Sequence, residues 1–337
     1  MKKVGKQSYF LSSPVNILST GSIVGPKEKN GPLHQFFDQC LEDEFWGEKS
    51  WEKAESKIIK ETVNSAVAKS GIPINNIDFC FAGDLLNQCI SSSFGLRETN
   101  LPFFGVFGAC STFVEGLTLG SICIDGDFAQ NVICASSSHF CSAEKQFRFP
   151  LELGNQRPPS SQWTVTGAGA AVLSKTGDGP YVTCITPGKI LDMGIKDANN
   201  MGAAMAGAAE DTLITHFTDT GRAPSYYDAI LTGDLGHIGK DILIDLAGSK
   251  GYNIKANYND CGVLIFDKEN QDTHSGGSGC GCIASVFSGY VYDMLKQNKY
   301  KKVLLIATGA LMNSTSTQQG ESIPGIAHAI SIELINN

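Results

Sequence analysis

The sequence predicts an α/β protein made of two related halves, and three observations carry that prediction. A short apolar strand ending in Gly-Asp-Leu occurs twice, as Asp78-Phe-Cys-Phe-Ala-Gly-Asp-Leu85 and as Asp228-Ala-Ile-Leu-Thr-Gly-Asp-Leu235. Further segments match in the same order behind each copy, which is how an internal duplication reads. Apolar strands alternate with helical stretches, the pattern of layered α/β folds. The 337 residues are 42% hydrophobic and 18% charged, enough for a sizeable core and too apolar for a disordered chain. The halves are 1–175 and 176–337.

In the first half, Ser50 caps a helix whose apolar positions Ala54, Ile58, Ile59, Val63, Ala66 and Val67 share one face, and Gly71 stops it. The Gly-Asp-Leu strand follows. Next comes a strand-like Phe103-Phe-Gly-Val-Phe107, the turn Gly108-Ala109-Cys110, and a helix over 111–125 with Phe113, Val114, Leu117 and Ile122 apolar. Asn131-Val-Ile-Cys-Ala-Ser136 and Gly167-Ala-Gly-Ala-Ala-Val-Leu173 read as buried strands. The second half repeats the helix start in Gly277-Ser-Gly-Cys-Gly-Cys282. Its closing strands are Lys302-Val-Leu-Leu-Ile-Ala-Thr308 and Gly325-Ile-Ala-His-Ala-Ile-Ser-Ile332. Residues 139–163 read as a long polar loop with Pro158 and Pro159 in series, and the second half has no counterpart. Ordered loops of that length are often functional or at interfaces.

The formal net charge is -8 and the sequence contains four arginines, Arg97, Arg148, Arg157 and Arg222. A nucleic-acid partner is therefore not expected. No secretory signal and no apolar stretch of the roughly 20 residues that a membrane helix needs is visible. The 11 cysteines are odd in number and scattered, which points to free thiols in a reducing compartment. Cys280 and Cys282 lack the second pair a zinc site requires, so no metal is expected. The glycines at 276, 277 and 279 lack a Walker lysine, and no cofactor is implied.

Cys110 is the sharpest chemical candidate. A cysteine at a strand-to-helix turn meets backbone N–H groups and the helix dipole, which lower a thiol pKa and attract carboxylates. The plain alternative is a small residue packed at a tight turn. Nucleophilic catalysis needs a base, and His237 and His274 are the candidates to face Cys110 across the two halves. Each reads equally as an exposed loop histidine. Asp84 and Asp234 flank a central cleft or cap turns at strand ends. Lys145, Arg148 and Arg157 put cations on the long loop, where arginine suits carboxylates. A solvated loop or a dimer contact would use them as well.

Further segments carry a resemblance. Gly25-Pro-Lys-Glu-Lys-Asn-Gly-Pro-Leu33, Ala82-Gly-Asp-Leu-Leu-Asn-Gln88, Phe107-Gly-Ala-Cys-Ser-Thr112, Ala143-Glu-Lys-Gln-Phe-Arg148, Gly276-Gly-Ser-Gly-Cys-Gly-Cys282 and Ala307-Thr-Gly-Ala-Leu311 are similar to the stage V sporulation protein AD family. That family is a branch of the thiolase and ketosynthase superfamily. The resemblance covers nearly the whole chain and implies a duplicated five-layered α-β-α-β-α fold and a homodimer. It also implies a sporulation role: binding dipicolinic acid, free or as its calcium chelate, and assisting its uptake into the forespore. The implied partners are the other stage V A proteins, some of them membrane-embedded. The implied location is peripheral, at the cytoplasmic face of the spore inner membrane.

Enzymes of the superfamily place a histidine directly after the second-half strand, where this chain has Gly233-Asp234-Leu235 and His237 follows late. The nucleophile position survives and its partners do not match. Two further readings stay open, an acyl-thioester transferase using Cys110 and a structural partner with a degenerate pocket. For a small ring with two carboxylates, the expected binding set is Cys110, Ser111, Asp84, Lys145, Arg148, Asp234, Gly279 and Cys280. Amides at the helix start and Arg148 or Lys145 would take the carboxylates, and Phe107 and Phe147 would meet the ring.

Overall fold

The computed structural model describes residues 1–147 and 157–335. The first half supplies strands β1 (Ser8–Val24), β2 (Phe79–Gly83), β3 (Phe103–Gly105), β4 (Asn131–Ser138) and β5 (Gly167–Ser174). Its helices are α1 (Trp51–Ser70), α2 (Ile90–Leu96), α3 (Thr112–Asp125) and α4 (Phe140–Phe147). The second half supplies β6 (Pro180–Thr186), α5 (Met201–Thr220), β7 (Ala229–Gly233), α6 (Gly236–Ser249) and β8 (Tyr258–Asp260). After these come α7 (Cys280–Val286, running on to Lys296), β9 (Lys302–Ala310) and β10 (Gly325–Leu334).

Both halves build the same sheet. The first runs β3-β2-β4-β5-β1 and the second β8-β7-β9-β10-β6. In each, the three strands farthest from the junction are parallel, and the last two run antiparallel to their neighbours. The halves join where β1 pairs antiparallel with β6, Tyr9 opposite Ile185 and Asn16 opposite Tyr181.

Side-chain alternation sorts the strands into layers. On β4, Val132 and Cys134 face a central core while Ile133 and Ala135 face the outer helix α1. On β9, Leu305 faces the same central core while Leu304 and Ile306 face α5. The central core holds α3 and α7, which lie side by side and touch strands from both halves. Phe113 of α3 and Phe287 beyond α7 meet there, ring centroids 5.7 Å apart. The order is outer helices, sheet, central helices, sheet, outer helices: the five-layered α-β-α-β-α arrangement. No helix among the described residues is long and apolar enough to cross a membrane.

Local signals explain most elements. The Ser50 hydroxyl accepts from the Lys53 N–H at 3.3 Å, and Gly71 ends α1 at φ +70°. Residues 139–163 depart from the expected loop. Their first third is α4, because Phe140, Ala143 and Phe147 recur at helical spacing and Ala143 is buried against Leu85, Cys110 and Cys280. All 11 cysteines are free.

The central layer leaves no room at β5. A methyl group added at Gly169 would fall 2.1 Å from the Ala284 carbonyl oxygen of α7. Gly169→Ala is expected to cost about 3 kcal/mol of stability through overpacking, measured by urea unfolding. A loss below about 1 kcal/mol would mean that α7 is free to move off the sheet.

Candidate functional site

The two central helices start at one point. On the first-half side, residues 108–112 form a tight turn. Ser111 N and Oγ both donate to Gly108 O, at 3.0 and 2.6 Å, and Thr112 Oγ1 donates to Ala109 O at 2.6 Å. Ala109 takes φ +51°, a conformation that L-residues adopt at a cost. Opposite, Gly279 takes φ +105°, where a side chain would fall 2.6 Å from Ser138 Oγ. Cys280 donates its thiol to Ala109 O at 2.9 Å, tying one helix start to the other.

Cys110 lies between them and lines a cavity of about 190 Å³. Phe107 and Phe147 contribute aromatic walls, and Leu85, Ala143, Met201 and Met312 add apolar surface. The polar side chains on the wall are Glu144, Thr164, Asn199 and Ser278. Among the described lining residues there is no lysine, arginine or histidine.

The repeated aspartates have parted roles. Asp84 caps its own turn, accepting from Leu86 N at 2.9 Å and from Ser92 N and Oγ at 2.8 and 2.7 Å. In the second half that work falls to Asp260, which accepts from Leu235 N, Gly236 N and Gly262 N at 3.0, 3.0 and 2.9 Å. Asp234 is released from the turn, takes φ +66°, and faces the thiols of Cys110 and Cys282. So Asp84 caps its turn, Asp234 is buried beside the thiols, and neither of the two predicted binding aspartates lines the cavity.

Burial sets the electrostatics. The Cys110 thiol is pushed well above its ordinary value by desolvation and by the Asp234 carboxyl, while the Gly279 N–H pulls the other way. This reverses the lowering expected from a helix start: the thiol is dry, and its nearest charged partner is an acid. The Ser111 and Thr112 amides, expected to hold a carboxylate, bond instead to Gly108 and Ala109. Asp234 is likewise pushed up by burial. Behind Cys280 lie Glu55 and Asp84, both raised by burial; Glu55 reaches about 8 and accepts from Ser137 and Ser142.

Lys145, His237 and His274 lie away from the cavity. Lys145 pairs with Glu52 at 2.7 Å on the surface. His237 is half-buried at the start of α6, its pKa lowered by desolvation and by Lys268 and Lys240. His274 pairs with Asp272 at 2.8 Å, and Asp272 also binds Arg157 at 2.7 Å. Neither histidine lines the cavity. Arg148 lies outside the described residues. Ser111, Gly279 and Cys280 shape the turn but do not line the cavity; Cys110, Phe107 and Phe147 do. Asn199 and Ser278 escape the sequence reading. Asn199 sits just before the Asn200 cap of α5, a helix-start signal that says nothing about a cavity.

Comparison with known proteins decides the family. A family model described as stage V sporulation protein AD matches residues 5–333. The chain belongs to the stage V sporulation protein AD family. The stage V sporulation protein AD of Bacillus subtilis (strain 168) is 42% identical over 333 residues, covering 99% of this chain and 98% of that protein. Among solved structures, 3-oxoacyl-[acyl-carrier-protein] synthase III from Aquifex aeolicus VF5 is 13% identical with a TM-score of 0.58, covering 95% of this chain and 99% of that one. Cerulenin-bound OleA of Xanthomonas campestris is 12% identical with a TM-score of 0.62, covering 96% of this chain and 100% of that one. This member of the sporulation family thus has a thiolase-like ketosynthase fold.

The buried acids make stability depend on pH. The folded Glu55–Asp84 pair holds protons that the unfolded chain releases above about pH 4. Their stabilisation is present at acid pH and is lost as pH rises towards the Glu55 value of about 8. Urea unfolding at pH 5 and pH 8 is expected to show the wild type losing stability across that interval. Glu55→Gln is expected to flatten the slope; an unchanged slope would assign those protons to other groups.

Proposed function

We propose that this protein binds dipicolinic acid as its calcium chelate in the cavity beside Cys110, without acyl transfer. In this reading it assists uptake of the chelate into the forespore together with other stage V A proteins. It works peripherally at the cytoplasmic face of the spore inner membrane, beside embedded partners. The observation that carries the reading is the lining of the cavity: Phe107 and Phe147 give it two aromatic walls, and the buried carboxyl of Asp234 stands behind Cys110.

Free dipicolinate carries two negative charges. Burying them beside the carboxyl of Asp234 is costly. The chelate is neutral. Calcium takes 6–8 oxygen ligands, more than one dipicolinate supplies, and Glu144, Asn199, Thr164 and Ser278 bring oxygen atoms to the wall. Phe107 and Phe147 suit the flat ring.

Calorimetric titration tests this. Saturable binding is expected with calcium and dipicolinate together, and at least roughly tenfold weaker binding without calcium, about 1.4 kcal/mol. Phe147→Ala is expected to weaken it about as much. Incubation with acyl-CoA followed by intact-mass measurement is expected to leave Cys110 unmodified. An acyl adduct lost in Cys110→Ser would instead favour the transferase.

We also propose a homodimer built across β3. Among the described residues that strand ends the sheet, with no strand on its outer side, and Phe103, Phe104 and Phe107 are exposed around it. Exposed apolar edges of this kind pair with another chain. Light scattering should report twice the chain mass for the wild type and one chain mass for Phe103→Lys. A wild-type monomer would end this part of the proposal.

A further inference from the structure

Asp234 is poorly explained as a structural residue. It is fully buried, and neither carboxyl oxygen has an oxygen or nitrogen hydrogen-bond partner among the described residues. Its backbone is in the left-handed region at φ +66°. The turn that its repeat mate Asp84 caps is capped here by Asp260, so no local bond requires the carboxyl. What the carboxyl does face is the pair of thiols on either side, Cys110 from the α3 turn and Cys282 from α7.

We propose that Asp234 is a positioning residue that keeps Cys110 an unreactive thiol, by standing as an acid where a base would have to act. The argument is one of proton order. A carboxylic acid is intrinsically stronger than a thiol by about five pKa units. When two such acids share one dry site, the first negative charge falls on the carboxyl. The thiol must then ionise beside an anion already present.

Among the described residues, Glu144 lines the cavity with Cys110, and the other titratable groups around the pair are acids too. Asp260 of β8 and Cys261 lie on the Asp234 and Cys282 side, and Cys280, Asp84 and Glu55 lie on the Cys110 side. All are acids. The backbone N–H groups of Gly279 and of Cys110 itself oppose them. A histidine in place of Asp234 would take the thiol proton and form a neutral-overall imidazolium–thiolate pair.

The consequence for ligand binding rests on the non-acylating reading above, but the test reads the thiol itself. The full-length protein is alkylated with iodoacetamide from pH 6 to 10, and the Cys110 peptide is quantified by mass spectrometry. The wild type is expected to react slowly, with its midpoint above about pH 9. Asp234→Asn keeps the shape and removes the acid, so the first charge becomes the thiolate. Its midpoint should fall by at least one unit, with alkylation at pH 8 about tenfold faster. Asp234→His should shift it further. A wild-type midpoint at or below about 8.5, the value of a free thiol, overturns the proposal even if neither variant folds. So does an Asp234→Asn profile that superimposes on the wild type. Because no dipicolinate is present, a failed binding titration leaves this result untouched, and the reverse also holds.

Discussion

The structure depends on one constraint: two helices are enclosed between two sheet halves, and both begin at the same dry point. Close backbone approach enforces it. Gly169 lets α7 lie against β5, and Gly279 lets its start pass Ser138. The thiol of Cys280 then bonds across to Ala109, fixing the two starts together. Everything polar that the chain brings to that point loses its water. In such a place a charge without a partner is expensive, and the usual outcome is that acids stay protonated. The raised acids around Cys110, Asp234, Glu55 and Asp84 are one effect of one cause.

The duplication sets the place and divergence sets its character. Two copies of a strand ending in Gly-Asp-Leu deliver two aspartates to equivalent ends of β2 and β7. Only one of them is needed as a cap. In the first half Ser92 and the Leu86 amide hold Asp84. In the second, Asp260 from the neighbouring strand holds the turn, and Asp234 turns inward. A symmetric motif thus gives an asymmetric site, with the thiol from one half and the acid from the other.

Much of this is legible in the sequence because it depends on neighbours along the chain. The Ser50 cap, the Gly71 stop, the strand–turn–helix at Cys110 and the repeated strands are local signals, and each forms as read. Phe107 lines the cavity because it directly precedes the Cys110 turn, whereas Phe147 is brought there by α4. What fails depends on where distant chains meet. Lys145 reads as a cation on a long loop, but α4 directs it to Glu52 on α1. His237 and His274 are near Asp234 and Cys280 in number, yet Asp272, Lys240 and Lys268 define their surroundings. The thiol shift takes the opposite sign to its sequence reading because dipole and amides are visible in a sequence and desolvation is not.

The arrangement also bears on whether the cavity is a relic. Buried carboxyls without partners do not stabilise a fold; apolar residues of similar size are often better by a few kcal/mol. Ala109 and Asp234 add backbone conformations that cost more than they return locally. A pocket with a purely structural role would gain by losing these features and by filling with larger side chains. This chain keeps the strained turn, the dry acid and an open volume together at one point. That combination fits a site selected to receive a ligand.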